Sequence, residues 1–156
     1  ENKGQIIATD IYESKLKKLK IRTRRAGAHN ITTKVLDSSK VIKKMKNSAD
    51  RVLIDAPCSG IGVLKRNPDS KWKLQPEFVE NIIKTQAEIL ENYSQLVKVG
   101  GKMVYATCSI LPSENEQQVK AFLKINPNFS IIKDHKVSPF KTGYDGFYMA
   151  LLERIS

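Results

Sequence analysis

Two cysteines and three aspartates carry the chemical content of this sequence, and four of the five stand where an apolar run stops. The densest stretch is residues 51–62, R-V-L-I-D-A-P-C-S-G-I-G. Val52, Leu53 and Ile54 make the short apolar run of a buried parallel strand. An acid, a proline, a thiol and glycines follow, which puts Asp55 and Cys58 on the loop leaving the strand's carboxyl end. In open α/β sheets ligands bind at that edge. Asp10, Asp37 and Cys108 each end another such run, so a doubly wound sheet would bring these residues to one rim. An acid ending the second strand of a nucleotide-binding sheet can take two ribose hydroxyls, although Asp10 also suits the capping of a loop. The cysteines, fifty positions apart with no signal-peptide character at the start, read as free thiols. Cys58, Cys108, His29 and His135 lack paired ligand spacing, so no metal site is expected.

The elements that must position these residues alternate in type. Residues 5–9 read as a short buried strand ending at Asp10, and residues 12–26 as a basic helix with Leu16 and Leu19 inward and Gly27 as its stop. Residues 31–36 form a second strand ending at Asp37, residues 40–46 a short helix, and residues 51–54 the third strand. The segment K-R-N-P-D-S-K-W-K should cross the surface beside the site. Pro76 opens the longest helix, which carries apolar residues from Val79 to Val97 at helical spacing and ends at Gly100 and Gly101. Residues 102–106 form a strand that stops at Cys108, and Ser113 with Glu116 makes a capping box for a helix running to about Ile125. Two late strands, 129–133 and 147–152, complete a mostly parallel, three-layer α/β sheet. The last strand has no following helix, which fits an antiparallel edge.

The 156 residues make one domain's worth of chain, with 40% hydrophobic and 28% charged residues and no repeat. No apolar run approaches the ~20 residues of a membrane helix, so a cytoplasmic protein with no membrane partner is expected. The net charge of +11 is concentrated in residues 1–50, where thirteen Lys and Arg face five Asp and Glu. Such a surplus favours a polyanionic partner, nucleic acid first.

The pairing of D-A-P-C-S-G with A-T-C-S and P-S-E-N-E resembles the RNA (cytosine-5) methyltransferases of the Sun family, or RsmB type. G-V-L-K-R-N-P-D, the tail D-G-F-Y-M-A-L-L-E-R and K-L-K-K-L-K behind Asp10 extend the match over essentially the whole chain. The resemblance implies a Rossmann-like class I fold that binds S-adenosylmethionine, with strand order 3-2-1-4-5-7-6 and an antiparallel seventh strand. It implies Cys108 as the nucleophile on cytosine C6, Asp55 on the cytosine, and Cys58 in removal of the C5 proton and release of the adduct. The proline-cysteine thiol, Cys58, is the rival nucleophile, since DNA cytosine-5 methyltransferases use that position. Asp10 would hold the cofactor ribose, with Asp37 near its adenine and amino group. Lys65, Arg66 and Asn67 are candidates for phosphates flanking a flipped base. Trp72 and Phe147 could stack on a base, but read more simply as core.

The resemblance also implies a first strand and a glycine-rich cofactor loop before Asp10, where this chain has only E-N-K-G-Q-I-I-A-T, and flanking RNA-binding domains. The absent strand is the central one, between those ending at Asp10 and Asp55, and its loss would leave two unpaired buried edges. Residues 1–156 are therefore expected to be the C-terminal part of a longer catalytic domain. The expected activity of that parent is methylation of cytosine C5 in RNA, ribosomal RNA before transfer RNA. A catalytically silent RNA-binding or assembly module of the same fold is the alternative.

Overall fold

The computed structural model describes residues 2–36 and 39–156. The chain divides into two units, residues 1–44 and 45–156.

In the first unit, β1 (Ile6–Asp10) lies parallel to β2 (Ile31–Val35), Ile6 opposite Ile31 and Asp10 opposite Val35. The crossover is α1 (Glu13–Arg25), which buries Leu16 and carries Arg22, Arg24 and Arg25 in its last turn, where cations meet the negative end of the helix dipole. Gly27, at φ +63°, turns the chain out of the helix. The short α2 (Ser39–Lys44) follows. Asp37 lies outside the described residues. β1 is not the buried strand its composition suggests, for Ile6 is 51% exposed. Only β2 pairs with it among the described residues, so its second edge is unladdered.

The second unit is a four-stranded sheet in the order β3-β4-β6-β5. Its strands are β3 (Ala49–Asp55), β4 (Val97–Thr107), β5 (Phe129–Val137) and β6 (Phe147–Arg154). β3 and β4 are parallel, while β6 runs antiparallel to both β4 and β5. The last strand is antiparallel as expected and lies between β4 and β5, as the implied order 4-5-7-6 has it; it is not the edge read from the missing helix, and β5 forms that edge. The sheet packs against α4 (Pro76–Ser94) and α5 (Glu116–Ile125). Side chains alternate across a strand, so Met103 and Tyr105 of β4 and Tyr148, Ala150 and Leu152 of β6 enter one core with Ile54, Leu90, Val119 and Phe122. Truncating Leu90, 1% exposed, to Ala would cost about 2–5 kcal/mol. Phe122 and Phe129 meet edge to face at 5.3 Å. The same alternation turns Leu53 out of this core, leaving it 71% exposed, contrary to the expectation of a strand buried on both faces.

Two local expectations are corrected. Leu96 and Val97 do not extend α4; the helix ends at Ser94, and β4 runs through Gly100 and Gly101, pairing Val97 with Ala49 across a register shift. Gly100, at φ +75°, absorbs that irregularity, so the glycines bend a strand instead of capping a helix. Nor does a capping box start α5. Its N-cap is Asn115, with no side-chain cap bond, and the Glu116 carboxylate pairs with Lys136 at 2.8 Å. Tertiary partners outcompete the local motif. No helix among the described residues is long and apolar enough to cross a membrane.

Candidate active site

β3 and β4 are parallel neighbours with Asp55 opposite Ala106, so the loops leaving their carboxyl ends are also neighbours. Ala56 N–H donates to the Ala106 carbonyl at 2.9 Å and extends the ladder one residue beyond Asp55. Beyond it the chain turns through Gly60, at φ +72°, into a 3-10 turn, Ile61–Val63. This brings Cys58 Sγ to 3.1 Å from Cys108 Sγ. Both thiols are free and half-buried. Burial, and then the hydrogen bond with Cys108, pushes the Cys58 thiol up to about 12.

Backbone bonds lock the arrangement. Gly62 N–H donates to the Cys108 carbonyl at 3.0 Å, and Gly146 N–H donates to the Gly62 carbonyl at 2.7 Å. The thiol loops therefore rest on the turn before β6, which explains the glycine of D-G-F-Y. Beneath them sits Glu114, which is fully buried. Its Oε1 accepts from Ser59 Oγ at 2.5 Å and Ser109 Oγ at 2.6 Å; its Oε2 accepts from Ser59 N–H at 2.8 Å and Gln86 Nε2 at 3.0 Å. The Tyr105 hydroxyl donates to the Glu114 carbonyl at 2.8 Å, and its own ionisation is pushed up by burial.

Asp55 is exposed at the end of β3, beside the thiol loops. Lys65, Arg66 and Asn67 follow the 3-10 turn and are exposed. Arg66 Nε meets Asp145 Oδ2 at 2.7 Å, and Arg66 and Asn67 line a recess of about 270 Å³ with Pro68, Asp69 and Ser70. Trp72, on the short α3 (Ser70–Lys73), is not core: it is 77% exposed, with Lys71 Nζ 4.8 Å from its ring centroid. Phe147 is half-buried. The second unit thus gathers Cys58, Cys108 and Asp55. Asp10 belongs to the first unit, where its Oδ1 accepts Tyr12 N–H at 2.8 Å and its Oδ2 lies 3.5 Å from Lys15 Nζ.

Ser59, Ser109, Gln86 and Glu114 were missed by sequence reasoning. The repeated dipeptide Cys-Ser at 58–59 and 108–109 was the available signal.

A mostly parallel α/β sheet with one antiparallel strand, and functional loops at the carboxyl ends of neighbouring strands, defines the class: this is the fold of the S-adenosylmethionine-dependent methyltransferases. Within that class, the family described as 16S rRNA methyltransferase RsmB/F matches residues 1–153, and the chain belongs to it. It is 36% identical to the ribosomal RNA small subunit methyltransferase B of Photorhabdus laumondii and 39% identical to that of Proteus mirabilis, each over 97% of this chain. It spans only 37% and 36% of those relatives' lengths. Among solved structures, it superposes on NSun6 from Pyrococcus horikoshii with SFG at a TM-score of 0.85 and 26% identity, over 99% of this chain and 42% of that one. It also matches the crystal structure of PH0851 at a TM-score of 0.92 and 33% identity, over 97% of this chain and 37% of that one.

The cofactor of this class is S-adenosylmethionine, and the chemistry of Asp10 fits part of it. A carboxylate has about four acceptor positions; the Tyr12 amide takes one and Lys15 faces another, which leaves capacity for ribose hydroxyls.

Proposed function

We propose that the intact protein methylates C5 of a cytosine in RNA, with ribosomal RNA as first candidate and transfer RNA as second, through a covalent bond between Cys108 Sγ and cytosine C6. The observation that carries this reading is the 3.1 Å approach of two free thiols on adjacent strand-end loops. A thiolate is the nucleophilic form of cysteine. Burial pushes the Cys58 thiol up, which favours Cys108 over it for attack.

The chain's own groups divide the work as follows. The Cys108 thiolate adds to C6, a C–S bond forms, and the ring's electron pair becomes available at C5. The Asp55 carboxyl group, placed against N3 and the exocyclic amine, offsets the charge that develops on the ring. S-adenosylmethionine, when bound, supplies an electrophilic methyl group, and Asp10 would hold its ribose with Asp37 near the adenine. Once C5 carries the methyl group, the C5 proton passes to water, and Cys58, beside Cys108, assists its removal. The C5–H electron pair re-forms the double bond and expels Cys108 from C6. The base must leave its stack to be attacked, and Lys65, Arg66 and Asn67, exposed beyond the 3-10 turn, are the candidates for the phosphates beside it.

We also propose that residues 1–156 are the C-terminal part of the catalytic domain. The unladdered edge of β1, and β3 pairing only with β4 among the described residues, support this, because an open strand edge presents a row of N–H and C=O groups that a further strand can take. A strand and cofactor loop from the preceding part of the domain would supply them, and residues 1–156 alone should turn over little or nothing.

The test incubates the intact protein, as wild type, Cys58→Ala and Cys108→Ala, with S-adenosylmethionine and RNA carrying 5-fluorocytosine, whose fluorine blocks proton loss from C5. A covalent protein–RNA band on denaturing gels, lost only with Cys108→Ala, is the expected result. Loss only with Cys58→Ala would exchange the two roles. No band with competent RNA would favour the silent RNA-binding module.

A further inference from the structure

The sulfurs that approach so closely belong to side chains 50 positions apart, and each is followed by a serine whose hydroxyl reaches the same carboxylate oxygen, Glu114 Oε1. Ser59 N–H and Gln86 Nε2 occupy Oε2. Four acceptor positions meet four neutral donors, so the buried anion is satisfied without a cation among them. The grip extends to both sides of each cysteine. Gln86 Nε2 also donates to the Pro57 carbonyl at 2.9 Å, just before Cys58. Asn115, the residue after Glu114, accepts from Thr107 Oγ1 at 2.5 Å and donates to the Ser109 carbonyl at 3.0 Å, on either side of Cys108.

We propose that Glu114 is a positioning residue that fixes the separation of the Cys58 and Cys108 thiols by bonding the residue that follows each. The inference rests on the reading above, in which one sulfur attacks C6 and the other serves C5. Those carbons are bonded neighbours, so the sulfurs that serve them must be held at a short, constant separation while the base turns over. A displacement of about 1 Å in such an arrangement can cost about a hundredfold in rate. Replacing Glu114 by Gln preserves the shape but puts an amide N–H₂ where an acceptor stood. One pair of donors then faces a donor, and the two loops lose their common anchor.

The experiment uses the intact enzyme as wild type, Glu114→Gln, Ser59→Ala and Ser109→Ala. Its first readout is the rate at which diamide, an azo oxidant, converts the two thiols to a Cys58–Cys108 disulfide. The thiols lose two electrons and two protons, and the azo group is reduced to the hydrazine. This step needs neither RNA nor cofactor. The expected result is rapid cross-linking in the wild type and cross-linking slowed about tenfold or more in Glu114→Gln, with the serine variants between, as the local misplacement predicts. The second readout is the split of kinetic constants. We expect kcat to fall about a hundredfold in Glu114→Gln while the RNA KM moves by less than about threefold. Wild-type cross-linking rates in all three variants would overturn the proposal, as would a kcat loss that only tracks the unfolded fraction. Should Glu114→Gln not fold, the serine variants decide: Ser109→Ala removes the bond to the Cys108 loop, Ser59→Ala removes one of the two bonds to the Cys58 loop, and each leaves three donors on the carboxylate. Failure of the wild type to methylate cytosine would overturn the proposed function, and the cross-linking rates would still judge Glu114.

Discussion

Gly62 and Gly146 meet backbone to backbone. A Cβ placed on Gly62 would stand 2.1 Å from the Gly146 carbonyl oxygen and 2.7 Å from that of Cys108, distances no packed carbon adopts. The contact joins the Cys58 loop, the Cys108 loop and the turn before β6, and it can form only where residue 62 has no side chain.

Gly62→Ala should therefore be the more damaging of two matched substitutions. Its new methyl meets backbone oxygens that cannot move without breaking the Gly62–Cys108 and Gly146–Gly62 hydrogen bonds. The methyl of Gly146→Ala meets chiefly the Ile110 Cγ2 at 2.3 Å, on a side chain that is 40% exposed and can turn aside. We expect about 3 kcal/mol or more for Gly62→Ala and about 1–2 kcal/mol for Gly146→Ala. Denaturant midpoints of the intact protein would measure both, and equal losses would contradict this account of the contact.

What was legible in the sequence was whatever depends on neighbours along the chain. Asp10, Asp55 and Cys108 were placed at strand ends because an apolar run followed by a polar residue marks such an end wherever the strand goes. The role of Glu114 was not legible, because its donors lie 28 residues away at Gln86 and 55 away at Ser59, and no local pattern encodes that meeting. The capping box failed for the same reason: Ser113 and Glu116 have the right spacing, but Lys136, twenty residues on, takes the carboxylate. Gly100 and Gly101 were misread because Leu96 and Val97 continue the helical apolar stripe of α4, and only the pairing of Val97 with Ala49 tells strand from helix. Trp72 was assigned to the core on composition alone, and its exposure is a fact of the loop that carries it.

The raised Cys58 thiol predicts unequal alkylation. At pH 8.5, near the midpoint of an ordinary thiol, Cys58 should remain almost unreactive toward iodoacetamide, and its rate should climb as pH approaches about 12. The linkage has a definite sign. Below pH ~7.5 the thiol is protonated whether the chain is folded or not, and it contributes nothing to a pH dependence. Between about 9 and about 12 the unfolded chain releases the proton and the folded one keeps it, so stability falls as pH rises. Peptide mass spectrometry of the alkylated intact protein across that range would test the first statement. Substantial Cys58 labelling at pH 8.5 would refute it.

Arg66 and Asp145 should affect RNA binding in opposite directions. Their ion pair at 2.7 Å is exposed on the arginine side, so its own contribution to stability is about 0.2–1 kcal/mol at most. If Arg66 contacts a phosphate, Asp145 competes for the same guanidinium. Arg66→Ala should weaken binding and reduce the slope of log affinity against log salt by about 1, whereas Asp145→Ala should strengthen binding at low salt. Titrations of the intact protein with labelled RNA at several salt concentrations would show this. Weakening by both substitutions would instead make the pair a purely structural tie between the segment after the Cys58 loop and the turn before β6.

Leu53 offers a test of how the sheet is completed. It stands mid-strand on β3, flanked by Val52 and Ile54, which pack toward α4, yet it is 71% exposed, and β3 pairs only with β4 among the described residues. An exposed substitution away from special features changes stability by about 0.5 kcal/mol or less, so Leu53→Ser in residues 1–156 alone should be nearly silent. In the intact domain, where the proposed strand would lie beside β3 and its flanking elements over this face, the same change would expose a polar group to a packed interior. It should then cost about 2–4 kcal/mol. Chemical denaturation of Leu53→Ser in both lengths of chain gives the comparison. A large loss in the longer chain only would support the proposal that further residues cover this face, and equal small losses would remove that role from the proposed strand.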